Sequence, residues 1–312
     1  MQRHFRLGGG VAPKSTRLRG QSIIEYVLII ALIGLVIVFA GPGVAGAIRN
    51  QFSQVTNTVD SGADGGNFMS AEEKAYREAM KTVVNKEAKD WTLDEQKAVA
   101  TDIAKNGTSS VVYAKAKAAM EAGTKFSAKL TNGKTLEYCI VGINHDDLAD
   151  GTGKAGLTFE ATNNVLGAQR MNATNSNAGG WEKSELRGRL NSGDLWALLP
   201  AEIQSKAKSV TKMTDNKGGG SAGTPSATTD KVFLLSTTEV YGNLQSDGAQ
   251  YEYYKSKGVT TSSYSAASSS NYHWTRSVLP SGSTLFRLVI SHGDCGYSNA
   301  TYTACVFPAF SF

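Results

Sequence analysis

The chain has 312 residues, 41% of them hydrophobic and 19% charged, with 33 Gly, 6 Pro and a formal net charge of +5. That length can bury a real core, and this balance of apolar and charged residues excludes wholesale disorder. The excess charge sits in residues 1–20, which carry Arg3, Arg6, Lys14, Arg17 and Arg19 and no acidic residue; beyond them 27 basic residues face 27 acidic ones, so bulk charge gives no reason to expect nucleic acid as a partner.

From Tyr26 through Ile48 no residue is charged. As a helix this run extends about 34 Å, enough for a hydrocarbon core of about 30 Å. Basic residues stand before it and only Arg49 close behind, which predicts a cytoplasmic start and an outward-facing bulk. An ordinary secretory signal would be cut after the apolar run, where Ala45-Gly46-Ala47 could serve. The other end of the run argues against it. Gly20 closes the basic stretch, four residues follow, and Glu25 and Tyr26 stand on the edge of the apolar segment. A carboxylate entering hydrocarbon costs roughly 2.5–3.5 kcal/mol, so it calls for a partner, and a new α-amino group is one.

At residues 17 to about 60 the sequence resembles the Flp, or type IVb, pilins of tight-adherence (Tad) systems. The resemblance implies cleavage by a prepilin peptidase between Gly20 and Gln21 and an assembly role for Glu25 and Tyr26. Glu25 would pair with the new amino terminus of a neighbouring pilin subunit, since two charges leaving water together lose less than either alone. Flp pilins are very short and this chain continues for roughly 250 residues, so the resemblance implies a minor pilin or pseudopilin with a payload.

After Val59 the composition turns to a polar linker over 60–69, then to helix signals over 70–123. Ser70-x-x-Glu73 and Thr92-x-x-Glu95 are capping boxes; the second helix ends at Asn106-Gly107, and a third runs from about Ser109 to a stop at Gly123. Tyr76, Met80 and Val83 recur at helical spacing, which predicts one buried face on a small helical spacer.

From Thr124 the texture changes to short strands, with a hairpin turning at Asn132-Gly133 and a strand over 157–162. Helices are expected from Gly180 and over Pro200–Val210, a low-complexity loop over 211–230, a strand over 231–242, and a serine-rich loop over 262–271 before three aromatic strands. The succession Val141 to Asp146, Gly179-Gly180-Trp181-x-x-Ser184-x-Leu186-Arg187, Phe233 to Ser236, Tyr251-Glu252-Tyr253, Trp274-x-Arg276-Ser277 and Val306 to Phe310 resembles an uncharacterised bacterial surface domain over roughly 108–312. Its closing motifs are similar to the C-type-lectin-like fold of formylglycine-generating-enzyme relatives, with Phe307 where an Arg is usual before the terminal Pro. That resemblance implies an exposed ligand-binding face on the late strands.

No zinc motif or EF-hand spacing occurs, and Asn144 to Asp147 with the loop after them read better as an Asx-bonded turn than as a calcium site. Cys295 and Cys305 suggest a hairpin disulfide in an exported protein, or, through the second resemblance, a catalytic cysteine pair on a membrane-tethered enzyme. The terminal segment alternates aromatic and small polar residues as recognition surfaces do, which makes Tyr272, His273, Arg287, His292, Asp294, Tyr297, Asn299 and Tyr302 the candidate ligand-binding residues, with Trp181, Trp274, Phe286, Phe307 and Phe310 in the core.

The expected fold class is α+β: a leader over 1–20, a pilin-type transmembrane and assembly helix over 21–59, the linker, the helical spacer, and a C-type-lectin-like domain with mostly antiparallel strands over 124–312. The expected function is a surface adhesin without cofactor, metal or nucleic acid. It would be held in the bacterial cytoplasmic membrane and then in a pilus, and would display a binding head for an unidentified extracellular ligand. A pseudopilin acting only in assembly is the remaining alternative.

Overall fold

A computed structural model of the chain describes residues 70–312. Helix α1 (Ala71–Val83) begins where Ser70 Oγ accepts the Glu73 N–H at 3.0 Å, and α2 (Leu93–Asn106) begins on a complete Thr92/Glu95 capping box. Helix α3 (Tyr113–Ala122) stops at Gly123, and its Lys115 ammonium donates to the carbonyls of Val83, Val84 and Lys86 at 3.3, 2.8 and 2.8 Å. A cation thus sits on carbonyls at the end of α1 and just beyond it.

Strands β1 (Lys125–Lys129) and β2 (Thr135–Ile143) form an antiparallel hairpin around Asn132-Gly133, β3 (Leu157–Ala161) lies beside β2, and β4 (Ala168–Gln169) is short. Short helices follow: α4 (Gly180–Lys183), α5 (Glu185–Asn191), α6 (Asp194–Leu198) and α7 (Ala201–Lys206). Next come the hairpin β5 (Val210–Thr214) and β6 (Ser226–Asp230), then β7 (Val232–Phe233), α8 (Thr237–Tyr241) and α9 (Glu252–Ser256). The closing strands are β8 (His273–Val278), β9 (Leu285–Val289), β10 (Cys295–Asn299), β11 (Ala304–Cys305) and β12 (Ala309–Ser311).

One sheet has the order β1-β2-β3-β12-β7, a second β10-β9-β8-β11-β4, and β5-β6 stands as a pair. Pairing is antiparallel throughout, apart from the parallel step where Cys305 meets His273. Between β11 and β12 the chain passes from the second sheet into the middle of the first. There Phe310 lies 5.5 Å from Phe159 and 5.3 Å from Tyr138, ring centre to ring centre, within a core that also takes Trp181, Trp274, Phe286 and Phe307.

These observations correct the expected fold class. The described residues are α+β with antiparallel sheets, and among them no helix is long and apolar enough to cross a membrane; the expected pilin-type transmembrane helix over 21–59 lies outside the described residues, as do Gly20, Gln21, Glu25 and Tyr26. Nor do the helices over 71–122 form a spacer. Trp91 stacks on Phe126 of β1 with centroids 6.4 Å apart, and Tyr138 Oη donates to Gln96 Oε1 of α2 at 3.0 Å. A Cβ on Gly156 would stand 1.8 Å from the Ala100 carbonyl oxygen, so α2 lies directly on the backbone leading into β3. Of the apolar stripe that suggested a spacer, Val83 belongs to the same core as the sheet and Met80 packs against it.

Other elements also differ. The stretch 211–230 forms most of a hairpin whose Lys212, Thr214, Thr228 and Asp230 are buried. The expected strand over 231–242 is β7 for two residues and then α8, which starts on a capping box between Ser236 and Glu239. The helix expected to reach Val210 ends at Lys206, freeing Val210 to open β5.

Candidate functional site

Two groups of polar side chains stand out, one sealed inside the fold and one open at its edge. The sealed group joins Asp146 after β2, Lys212 of β5, Glu239 of α8, Arg276 of β8 and Tyr251 before α9. Lys212 Nζ lies 2.6 Å from Asp146 Oδ1 and 2.6 Å from Glu239 Oε1, and donates to Tyr251 Oη at 3.0 Å. Arg276 makes a forked ion pair with Glu239, its Nε donates to Thr214 Oγ1 at 2.8 Å, and its remaining donors reach the carbonyls of Leu234, Met213 and Asp247. Tyr251 Oη and Thr158 Oγ1 donate to Asp146, at 2.8 and 2.5 Å.

Burial works against an ionised Asp146, yet the Lys212 ammonium, His145 and the donors around it overcome that cost and hold the carboxyl at about 2. Glu239 is likewise held below the usual carboxylate range: burial raises it, and Arg276 and Lys212 more than compensate. Two carboxylates and two cations therefore balance in a closed core, which suits a role in fixing one arrangement of strands and gives no access to a substrate. His145 stacks on Tyr251 at 3.9 Å, and its Nδ1 meets Glu252 Oε1 at 3.1 Å. Asn144 Nδ2 donates to the Ile103 carbonyl and Asp147 pairs with Lys154, so the turn suggested by Asn144 to Asp147 is tied to protein partners. Among the described residues no group of three or more His, Cys, Asp or Glu could hold a metal.

The open group lies on the β9–β10 hairpin at one edge of the second sheet. Tyr297 of β10 is directly opposite Arg287 of β9, and Asn299 opposite Leu285; Thr284 Oγ1 donates to Asn299 Oδ1 at 2.9 Å. Arg287 makes no ion pair among the described residues; one Nη contacts Cys295 Sγ at 3.6 Å, and its Nε is buried without a hydrogen-bond partner. At the hairpin's turn, exposed His292 faces the Tyr264 ring at 6.0 Å, and Asp294 Oδ1 accepts the Cys295 N–H at 2.7 Å. The serine-rich loop is packed against that turn: a Cβ on Gly293, whose φ is +98°, would stand 2.1 Å from the Tyr264 carbonyl oxygen, and Tyr241 Oη holds the Gly293 carbonyl at 2.6 Å. Exposed side chains thus stand on a braced hairpin.

The structure gathers Arg287, His292, Asp294, Tyr297 and Asn299 here and separates the other candidates. His273 is 5% exposed and stacked on Phe307 at 4.4 Å; burial pushes its imidazole down to about 4, so a contact role for it is corrected. Tyr272 is exposed at the start of β8, two strands away from β10. Tyr302 packs edge-on to Trp274 at 6.3 Å, and Trp274 opposes Leu288, so alternation puts Tyr302 on the sheet face opposite Arg287 and Tyr297.

The cysteine expectation is corrected as well. Cys305 is opposite His273, His273 opposite Val289, and Val289 opposite Cys295, so the thiols lie three strands apart. At about 4.8 Å per strand that is about 14 Å, twice the reach of a disulfide at about 7 Å, and too far for a joint catalytic pair. All three cysteines are free; burial pushes the thiols of Cys295 and Cys305 up and that of Cys139 to about 12.

At the opposite edge a groove of about 380 Å³ is lined by Gln169, Arg170, Glu185, Arg189 and Thr303. Arg189 is fixed there by Asp194 and by Gln169 Oε1 at 2.8 Å, whereas Arg170 is exposed. Sequence reasoning missed both arginines, because neither sits in a motif and only the β4–β11 pairing brings Gln169 and Arg170 alongside Thr303.

A closed ionic core and an open, braced hairpin define an α+β protein with its sealed polar cluster inside and its exposed polar side chains at the sheet edge. The chain belongs to the family described as a domain of unknown function (DUF6273), whose model matches residues 155–312. The matched residues supply all of the second sheet and, of the first, β3, β12 and β7. No curated protein and no solved structure matches the chain.

Proposed function

We propose that the chain is a minor pilin- or pseudopilin-like surface adhesin, whose head binds an extracellular ligand through the β9–β10 hairpin and the serine-rich loop beside it. The observation that carries this reading is the open hairpin edge: a half-buried Arg287 cation, without an ion pair among the described residues, directly across from Tyr297, which is 60% exposed, with His292, Asp294 and Asn299 on the same hairpin. An uncompensated guanidinium next to an exposed ring suits a ligand that offers an acceptor and a flat surface. The amino-terminal sequence supports the display half of the proposal. Gly20 before the site of cleavage, and Glu25 and Tyr26 ahead of a charge-free run, are the features a prepilin peptidase and neighbouring pilin subunits would use. The protein would then be held at the bacterial membrane or in a Tad-type pilus with its head outside.

Two measurements test the two halves. Mass spectrometry of the protein from its native host should give a chain starting at Gln21; a start after Ala47 refutes the pilin reading. Adherence of cells carrying Arg287→Gln or Tyr297→Ala should fall about tenfold at unchanged surface level, as expected when a central contact worth about 1.4 kcal/mol is removed. Adherence equal to that of unaltered cells refutes the binding face.

A further inference from the structure

The free edge of β10 has a property that the ligand-binding reading does not use. Within the β9–β10 ladder the bonds from Ile290 N–H to the Asp294 carbonyl at 2.9 Å, and from Ala300 N–H to the Thr284 carbonyl at 2.7 Å, fix the phase of the pairing. Gly296 and Ser298 therefore turn their backbone groups inward to β9, and Cys295, Tyr297 and Asn299 turn theirs outward. Of the outward groups, the Cys295 N–H is taken by Asp294 Oδ1, and the Asn299 carbonyl is taken by the Tyr302 N–H at 2.8 Å. The Tyr297 N–H and carbonyl, the Cys295 carbonyl and the Asn299 N–H face outward with no partner among the described residues.

Sheet edges are ordinarily blunted by charge, proline, a bulge or shortness. Edge strand β1 carries Lys125 and Lys129, and β4 and β7 have two residues each. Strand β10 reads Cys-Gly-Tyr-Ser-Asn, five residues in unbroken register without charge or proline. Among the edges of the two large sheets it alone has none of these protections.

We propose that this edge pairs with β10 of a second copy of the chain, antiparallel and centred on Tyr297. That register opposes Tyr297 to Tyr297 of the second copy, so each donates its N–H to the other's carbonyl. It also opposes Cys295 to Asn299 of the second copy, so the two free groups there, the Asn299 N–H and the Cys295 carbonyl, meet. The two occupied groups, the Cys295 N–H and the Asn299 carbonyl, fall opposite each other as well, so nothing is left unmatched. A strand of unrelated sequence gains no such coincidence of spent donor with spent acceptor, which favours a second copy over a foreign peptide. The pairing also sets the two exposed Tyr297 rings side by side on one face.

The proposal goes beyond ligand binding and does not depend on it, because it rests on backbone groups. The test compares the full chain with Tyr297→Pro by sedimentation velocity over a concentration series. Proline is tolerated at an edge where the lost N–H faces solvent, so the variant should keep its melting midpoint and lose association at least about tenfold. In a Cys295→Ser background, Tyr297→Cys should form an intermolecular disulfide under mild oxidation, since Cα atoms of a hydrogen-bonded pair lie about 5.5 Å apart. Tyr302→Cys in the same background, exposed but off the strand, should not. Should the proline variant misfold, amide exchange of the unaltered chain decides: Tyr297 and Asn299 should slow with protein concentration and His292 should not. Equal sedimentation of both proteins, equal cross-linking at 297 and 302, or protection of Tyr297 that appears only when an unrelated extended peptide is added would each overturn the proposal.

Discussion

Glu160 of β3 gives the sharpest prediction. It lies between Cys139 of β2 and Ala309 of β12, is 5% exposed, and among the described residues meets a single side-chain partner, Tyr254 Oη of α9, which donates to its Oε2 at 2.7 Å. Burial outweighs the Tyr254 hydrogen bond, no cation among the described residues offsets it, and Glu239 adds repulsion, so the carboxyl is pushed up to about 8 from the usual 4.5. The folded protein then keeps a proton that the unfolded chain gives up above 4.5. Stability from this group is fully present below 4.5 and is lost as pH rises toward 8, at up to about 1.4 kcal/mol per pH unit. Between about pH 5 and about pH 7.5 that amounts to about 3 kcal/mol. Glu160→Gln keeps the shape and an acceptor for Tyr254 but cannot ionise. Urea unfolding of both proteins across that window should show their stabilities diverging, with the variant ahead at the alkaline end. Parallel curves would refute the assignment of a buried, protonated acid.

Other substitutions probe the remaining joints of the fold. Lys212→Met takes from the buried Asp146 its ion-pair partner and leaves Glu239 with Arg276, and should cost about 3–5 kcal/mol by denaturant unfolding; a loss under about 1 kcal/mol would mean that the network is not sealed. Gly156→Ala drives a methyl into the Ala100 carbonyl, so α2 must lift from the sheet, and a far-ultraviolet melt should show a protein that is unfolded or destabilised by more than about 3 kcal/mol. Ser236→Ala removes the buried cap of α8 and should cost about 1–2 kcal/mol. Thiol titration after denaturation without reductant should find Cys139, Cys295 and Cys305 all reduced, and reductant should leave the melting midpoint in place; a reductant-sensitive midpoint would contradict the register of β8 to β11.

What could be read in advance follows from where the information resides. The caps at Ser70 and Thr92 and the Asn132-Gly133 turn are local chemistry, each settled within a few residues, and each stands where the sequence puts it. The Ser236/Glu239 box carried the same signal and was hidden by the β-branched and apolar residues of 232–240. Strand β5 inverts the expected alternation, with Lys212 buried and Met213 exposed, because the lysine answers two carboxylates that arrive from β2's end and from α8. No hydropathy pattern encodes that inversion, since the partners lie 66 and 27 positions away along the chain. The site divides in the same manner. A hairpin joins its residues by short turns, so Arg287 through Asn299 could be grouped from sequence, whereas placing His273, Tyr272 and Tyr302 required the order of the strands.

Strand β12 lies inside the first sheet, between β3 and β7, although it follows every other strand of the described residues. Until residues 309–311 have left the ribosome, β3 and β7 have no neighbour between them, and Phe159 and Tyr138 lack the ring that closes their cluster. The first sheet therefore closes only through its latest strand in the described residues: a chain that stops short of residue 309 leaves β3 and β7 unjoined.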